Sequence, residues 1–205
     1  MNNQLIVIAG LVMLSGCARQ DSAQDGTHSQ EMHAEMNMVL ESDTPLMGDY
    51  SLYQVESVWS DQSGAQRTLS TLEGQVQVVA MTYTSCEVSC PRIVASMRRI
   101  ESDVDETVSF VLISIDPERD TSESMAAYAD KMGLSSQRWS LLNGPADDVQ
   151  EMAALLGVRY RKMSDGEFAH SNIVTVLDQN GAIIHQQKGL GSDLTDNTIE
   201  FLKSL

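Results

Sequence analysis

The chain has 205 residues and sets 29 Asp and Glu against 13 Lys and Arg, for a formal net charge of −16. A surface this acidic argues against nucleic acid and anionic lipid as partners, since both carry the same sign of charge. It suits a basic protein partner or a cation, and it favours solubility.

Residues 2–16 hold no charged side chain, and Leu5 to Leu14 is an apolar run. That run is too short to span a bilayer and has the length of a signal-peptide core. It ends in Leu14-Ser15-Gly16-Cys17, which resembles the lipobox of bacterial lipoproteins, where cleavage precedes a cysteine that is then lipidated. Met1-Asn2-Asn3-Gln4 lacks the usual Lys or Arg, so a plain secretory signal with an incidental cysteine is the alternative. Residues 1–16 are therefore read as a lipoprotein signal, with Cys17 as the lipidation site and Ala18 compatible with outer-membrane sorting. The expected product is exported and anchored to a membrane through lipid, facing the periplasm. Cys17 also accounts for the odd one of the three cysteines and leaves a pair in an oxidising compartment.

Residues 17–48 are polar and without apolar periodicity, as in a flexible tether. Within them His28, Met32, His33, Met36 and Met38 lie close together. Thioethers and imidazoles bind copper, so this segment is a candidate auxiliary copper site; a polar linker that happens to contain these residues is the alternative.

Residues 49–205 read as one domain, long enough for a substantial core. Alternation over Tyr53 to Trp59 predicts a strand, followed by a Gln62-Ser63-Gly64 turn and a short strand from Gln66 to Leu69. Val76 to Tyr83 predicts a buried strand and Arg92 to Val104 a helix. Thr107 to Ile115 is β-branched and apolar, the strongest strand signal in the chain. Asp120 with Glu123 forms a capping-box-like start for a helix that runs to Met132 and stops at Gly133. Arg138 to Leu142 predicts a strand. Pro145 opens a helix that has Asp147 and Asp148 in its first turn and Gly157 beyond its end. Val158 to Met163 predicts another strand. Ile173 to Leu177 and Ala182 to Gln187 make a hairpin across Asn180-Gly181, a type I′ signal, and Leu194 to Leu205 a closing helix. This order predicts an α/β domain with a central mixed sheet flanked by helices and an N-terminal β-hairpin extension.

Cys86 and Cys90 stand between a predicted strand and a predicted helix, in Thr84-Ser85-Cys86-Glu87-Val88-Ser89-Cys90-Pro91. The partial positive charge of a helix start favours thiolate. Thiolates serve both copper binding and disulfide exchange. Glu87, between the two thiols, is expected to raise their pKa by repulsion.

That segment, together with Ser114-Ile115-Asp116-Pro117-Glu118-Arg119-Asp120-Thr121 and His170-Ser171, resembles the Sco/SenC family of copper-binding, thioredoxin-like proteins. The likeness covers about residues 50–203. One departure is Glu87, where many members have Pro. The resemblance implies a thioredoxin-like fold and one copper, Cu(I) or Cu(II), bound by Cys86, Cys90 and His170. It also implies a copper-accepting partner, such as a cytochrome c oxidase subunit, and a periplasmic copper donor or thiol reductant. Asp116 is expected to border the site and to orient or charge it; the alternative is a plain helix-entry turn. Two thiolates and one imidazole suit copper, whereas a structural zinc site takes four protein ligands. His185 alternates within the last hairpin and is read as structural. The resulting expectation is a membrane-tethered copper-binding protein of the metallochaperone type. Its rivals are a thiol–disulfide oxidoreductase using the same cysteines and a copper sensor or sequestration lipoprotein.

Overall fold

The computed structural model describes residues 50–205. The signal segment, Cys17 and the tether residues His28, Met32, His33, Met36 and Met38 lie outside that range.

Three parallel strands form the centre of the sheet: β3 (Gln77–Thr82), β4 (Ser109–Ser114) and β5 (Trp139–Asn143). Every residue of β3 and five of six in β4 are buried, as expected of strands covered on both faces. β1 (Val58–Asp61) pairs antiparallel with β5 and carries β2 (Gln66–Thr68) beyond it, so the N-terminal hairpin extends one edge. β8 (Ile173–Leu177) runs antiparallel to β3, and β9 (Ile183–Lys188) closes the other edge. The order is β2-β1-β5-β4-β3-β8-β9. A separate two-stranded ribbon joins β6 (Tyr160–Lys162) to β7 (Phe168–His170).

Alternate side chains of each strand serve opposite cores. Val78, Ala80, Phe110 and Leu112 pack under α1 (Ser89–Asp103), α2 (Ser122–Met132) and α4 (Ser192–Lys203), through Ile93, Met97, Met125 and Ile199. Val79, Met81, Val111 and Ile113 face α3 (Ala146–Leu155), through Val149 and Met152. Each Val, Leu, Ile, Phe or Met among them, fully buried, contributes roughly 1.5–3 kcal/mol before chain entropy is subtracted. Trp59 is fully buried in the second core, and a Cβ on Gly144 would stand 2.7 Å from its indole.

Several local expectations change. Tyr53 to Trp59 is not one strand: Leu52–Gln54 is a 3₁₀ turn and β1 starts at Val58. The Ser51 hydroxyl accepts the Tyr53 N–H at 3.1 Å, and the Leu52 N–H reaches the Gly181 carbonyl at 2.9 Å. These bonds curl the segment, and Leu52 and Val55 reach the core at turn spacing rather than by strand alternation. The β8–β9 turn is not type I′. Gly181 N–H bonds to Asp178 O and Asp178 N–H to Ala182 O, giving a three-residue loop with Gly181 at φ 85°. The helix-start role expected of Asp120 belongs to Thr121, whose side chain accepts the Ser124 N–H at 3.2 Å. β7 carries no clear sequence signal, because three residues are too few to show a period.

The topology sets the site. β3 ends at Thr82 and passes through the cysteine loop into α1. β4 ends beside it, and its parallel register places Asp116 to Asp120 at the same edge. β8 runs the other way, with Val174 opposite Ala80, so its start, and His170 just before it, arrive where β3 ends.

Candidate metal centre

The cysteine loop is a tight exit from β3. The Cys86 N–H donates to the Tyr83 carbonyl at 3.3 Å, and α1 begins at Ser89, three residues before the expected start. Val88, at the N-cap position, offers no side-chain hydrogen bond; the Cys86 Sγ instead accepts the Cys90 N–H at 3.4 Å. The sulfur thus takes one of the N–H groups a helix start leaves unpaired. Pro91 lies in the first turn, where its missing N–H costs nothing.

Cys86 is 7% exposed and Cys90 fully buried, and both are free thiols. His170 ends β7 with its Nε2 at 3.6 Å from the Cys90 Sγ. The ligand atoms of Cys86, Cys90 and His170 all lie within 4.8 Å of one another. Among the described residues this is the one such group of three metal-capable side chains. The His170 Nδ1 stands 3.2 Å from the Ser171 carbonyl, which can only accept. Nδ1 therefore carries the proton, and the Nε2 lone pair faces the sulfurs, the tautomer a metal ligand requires.

The Ser89 hydroxyl sits between the arms, 3.3 Å from the Cys86 Sγ and 3.0 Å from the His170 Nε2, and its single proton serves one of these two acceptors at a time. Sequence reasoning misses it; a helix start placed at residue 89 would have put Ser89 one turn from Cys86. The thiols are unequal. Burial acts to raise the Cys86 pKa, but hydrogen bonds from the Ser89 hydroxyl, the Cys90 N–H and side chain and the Val88 N–H outweigh it and hold the thiol at about 6. Burial pushes the Cys90 thiol up, and the adjacent Cys86 sulfur adds to that, against a hydrogen bond from the Tyr83 backbone. The rise expected for both thiols from Glu87 is thus not found at Cys86. Glu87 is exposed, so solvent screens its charge.

Asp120 fastens the cysteine loop to the sheet. Its buried carboxylate accepts the Thr84 N–H at 3.1 Å, the Thr84 hydroxyl at 2.5 Å and the Ser114 hydroxyl at 2.6 Å. Burial pushes this carboxyl up against those three bonds. Asp116 is also buried, and its carboxylate pairs with Arg119. None of its hydrogen bonds reaches Cys86, Cys90 or His170. Arg119 links it onward to Glu167 at 3.5 Å and to the Gly166 carbonyl at 2.8 Å. The Tyr83 hydroxyl donates to Glu167 at 3.0 Å, and its ring meets His170 edge-on with centroids 6.0 Å apart. Burial pushes the Tyr83 phenol up, so it remains a donor. On its outer side His170 borders a shallow groove with Arg159 and Arg161. His185 lies apart, bonded to the Thr198 hydroxyl at 3.0 Å and stacked on Phe201.

The family model described as SCO1/SenC matches residues 44–197. The SCO1 protein homolog of Bacillus subtilis is 25% identical over 159 residues, covering 74% of this chain and 82% of that one. The crystal structure of a SCO1/SenC family lipoprotein from Bacillus anthracis superposes with a TM-score of 0.65 at 26% identity, over 72% of this chain and 91% of that one. ScoI of Bradyrhizobium japonicum, solved with copper bound, shares the fold at a TM-score of 0.59 and 24% identity, over 72% and 96% of the two chains. With its mixed sheet, its paired thiols at a helix start and the family model spanning most of its length, this chain belongs to the SCO1/SenC family of thioredoxin-like proteins.

Proposed function

We propose that this protein is an exported, membrane-tethered copper carrier that takes one copper ion as cargo on Cys86, Cys90 and His170 and passes it to a copper-accepting protein such as an oxidase subunit. The observation that carries the reading is the meeting of two thiols and an imidazole lone pair within 4.8 Å at the mouth of one loop. This donor set is soft to intermediate and suits copper. Copper supplies affinity for thiolate there, and the chain's residues supply the rest. Cys86 is ionised near neutral pH. Cys90 gives up its proton as the ion binds. The Ser171 carbonyl holds His170 in the ligating tautomer. The copper-bound ScoI structure and family membership support the same reading.

In this reading residues 1–16 are the signal, Cys17 carries the lipid, residues 17–48 form the tether and residues 49–205 the copper domain, on the periplasmic side of the membrane. No helix among the described residues is long and apolar enough to cross a membrane. His28, Met32, His33, Met36 and Met38 collect copper on the tether; deleting residues 27–39 and finding unchanged stoichiometry and transfer rate would end that part.

A second reading, thiol–disulfide exchange, draws on the unequal thiols. The Cys86 thiolate attacks a partner disulfide, forming a mixed disulfide and releasing one partner thiolate. Cys90, deprotonated, then attacks the Cys86 sulfur, closing an internal disulfide and releasing the second partner thiol, so two electrons pass from the pair to the partner. Titration of the reduced chain with Cu(I) and Cu(II) decides between the readings. In a chain lacking residues 27–39 the carrier reading expects one tight copper, lost in Cys86→Ser and Cys90→Ser and weakened in His170→Ala. No copper uptake together with efficient reduction of protein disulfides would establish exchange instead.

A further inference from the structure

Among the described residues, His170 is carried by the one pair of strands that stands outside the main sheet. β6 and β7 have three residues each and join no other strand. A lone two-stranded ribbon is marginal in water. Its internal bonds, such as Met163 N–H to the Glu167 carbonyl at 2.7 Å, define the ribbon but not where it stands against the sheet.

The ribbon meets the body through Tyr160 and Phe168, which pack on the core, through the exposed Lys162–Glu118 pair at 2.6 Å, and through a cluster of polar ties around Glu167. Its carboxylate takes the Tyr83 hydroxyl, from the end of β3, and faces the Arg119 guanidinium, from the loop after β4. Tyr83 returns a second tie by accepting the Phe168 N–H at 3.3 Å, and Arg119 a third through the Gly166 carbonyl. Both body groups are themselves fixed. Tyr83 is 3% exposed, and Arg119 is tied to a buried Asp116 carboxylate. The Glu167–Arg119 pair is half-exposed and weak as an isolated ion pair. Its effect is directional, because Glu167 immediately precedes Phe168-Ala169-His170, and Tyr83 packs against both Phe168 and His170.

We propose that Glu167, held between Tyr83 and Arg119, is the positioning residue that docks the β6–β7 ribbon and so sets the His170 Nε2 against the two thiols. Asp116 acts at the far end of this chain of contacts, by fixing Arg119.

The copper-binding arm of the test rests on the carrier reading; the exchange arm does not. In the metal-free full chain, Glu167→Ala is expected to speed amide hydrogen exchange at residues 160–170 by about tenfold while leaving β3 and β4 unchanged. Glu167→Gln, which keeps an acceptor for Tyr83, is expected to restore most of the protection. In copper titrations Glu167→Ala is expected to weaken binding by about tenfold, the scale of groups that orient a ligand, and to weaken the nitrogen hyperfine signal of His170 in the Cu(II) spectrum. In a His170→Ala background the same substitution is expected to change affinity no further. Unchanged exchange at residues 160–170, or an equal loss of affinity with and without His170, overturns the proposal. Faster exchange with no copper uptake by the unsubstituted chain would sustain the docking role and refute the carrier reading instead.

Discussion

The cysteine arm and the histidine arm of the site meet within a few ångströms but grow from unlike scaffolds. Cys86 and Cys90 leave a fully buried central strand and enter a helix whose Ile93, Val94, Met97 and Ile100 are all buried. A buried carboxylate, Asp120, bolts their loop to the neighbouring strand through three hydrogen bonds. His170 hangs on a short ribbon outside the main sheet, positioned largely by side chains of the body. A site made this way has two ligands on a rigid base and one on an arm held by a few polar contacts and by the packing of Tyr160 and Phe168 on the core. Such an arm can be moved without unfolding the base.

The contrast is sharpest at the bolts. Asp120→Ala strips three donors of their acceptor, two of them on Thr84 beside the cysteines. The expected loss is about 2–4 kcal/mol of global stability in denaturant unfolding, the scale of buried hydrogen bonds to a charged group. Tyr83→Phe removes two hydrogen bonds to the ribbon but keeps the buried ring. Its expected cost is nearer to about 1 kcal/mol. An equal cost for the two substitutions would erase the distinction between base and arm.

The legibility of the sequence divides along the same line. β3, β4, α1 and the cysteine pair are readable because continuous apolar runs and helical spacing record burial on a regular scaffold. The ribbon is half readable. Val158 to Met163 shows a strand, but β7 is too short to show a period. His170 stands out as a ligand through its place in a family motif rather than through any periodicity. The ties around it join residues 83, 119 and 167, and no local pattern reports such contacts. Asp120 is legible as a polar residue before a helix, but its burial and its hold on Thr84 depend on the parallel register of β3 and β4. Glu87 misleads the other way: the sequence displays its charge and hides its exposure.

Two smaller effects test the link between the arms. Only thiolate reacts with iodoacetamide, so Cys86 alkylation in the metal-free, reduced protein is expected to fall as pH drops through about 6. Cys90 is expected to stay unmodified while the fold holds, being fully buried. Ser89→Ala removes the strongest of the bonds holding the Cys86 thiol down and is expected to move that midpoint upward by about one pH unit, equivalent to about 1.4 kcal/mol. An unmoved midpoint would show that the backbone N–H groups and the Cys90 side chain poise the thiol without Ser89. Glu87→Gln is expected to have the smallest effect, shifting the midpoint by less than about 0.3 unit because the side chain is exposed and screened.

The central claim, one copper held by both arms together, is met most directly by X-ray absorption on the copper-loaded chain, recorded beside its His170→Ala variant. Two sulfur ligands and one nitrogen are expected in the first, and loss of that nitrogen with both sulfurs kept in the second. A spectrum unchanged by the substitution, or copper retained by a chain lacking residues 27–39 when Cys86 and Cys90 are both replaced by Ser, would contradict it.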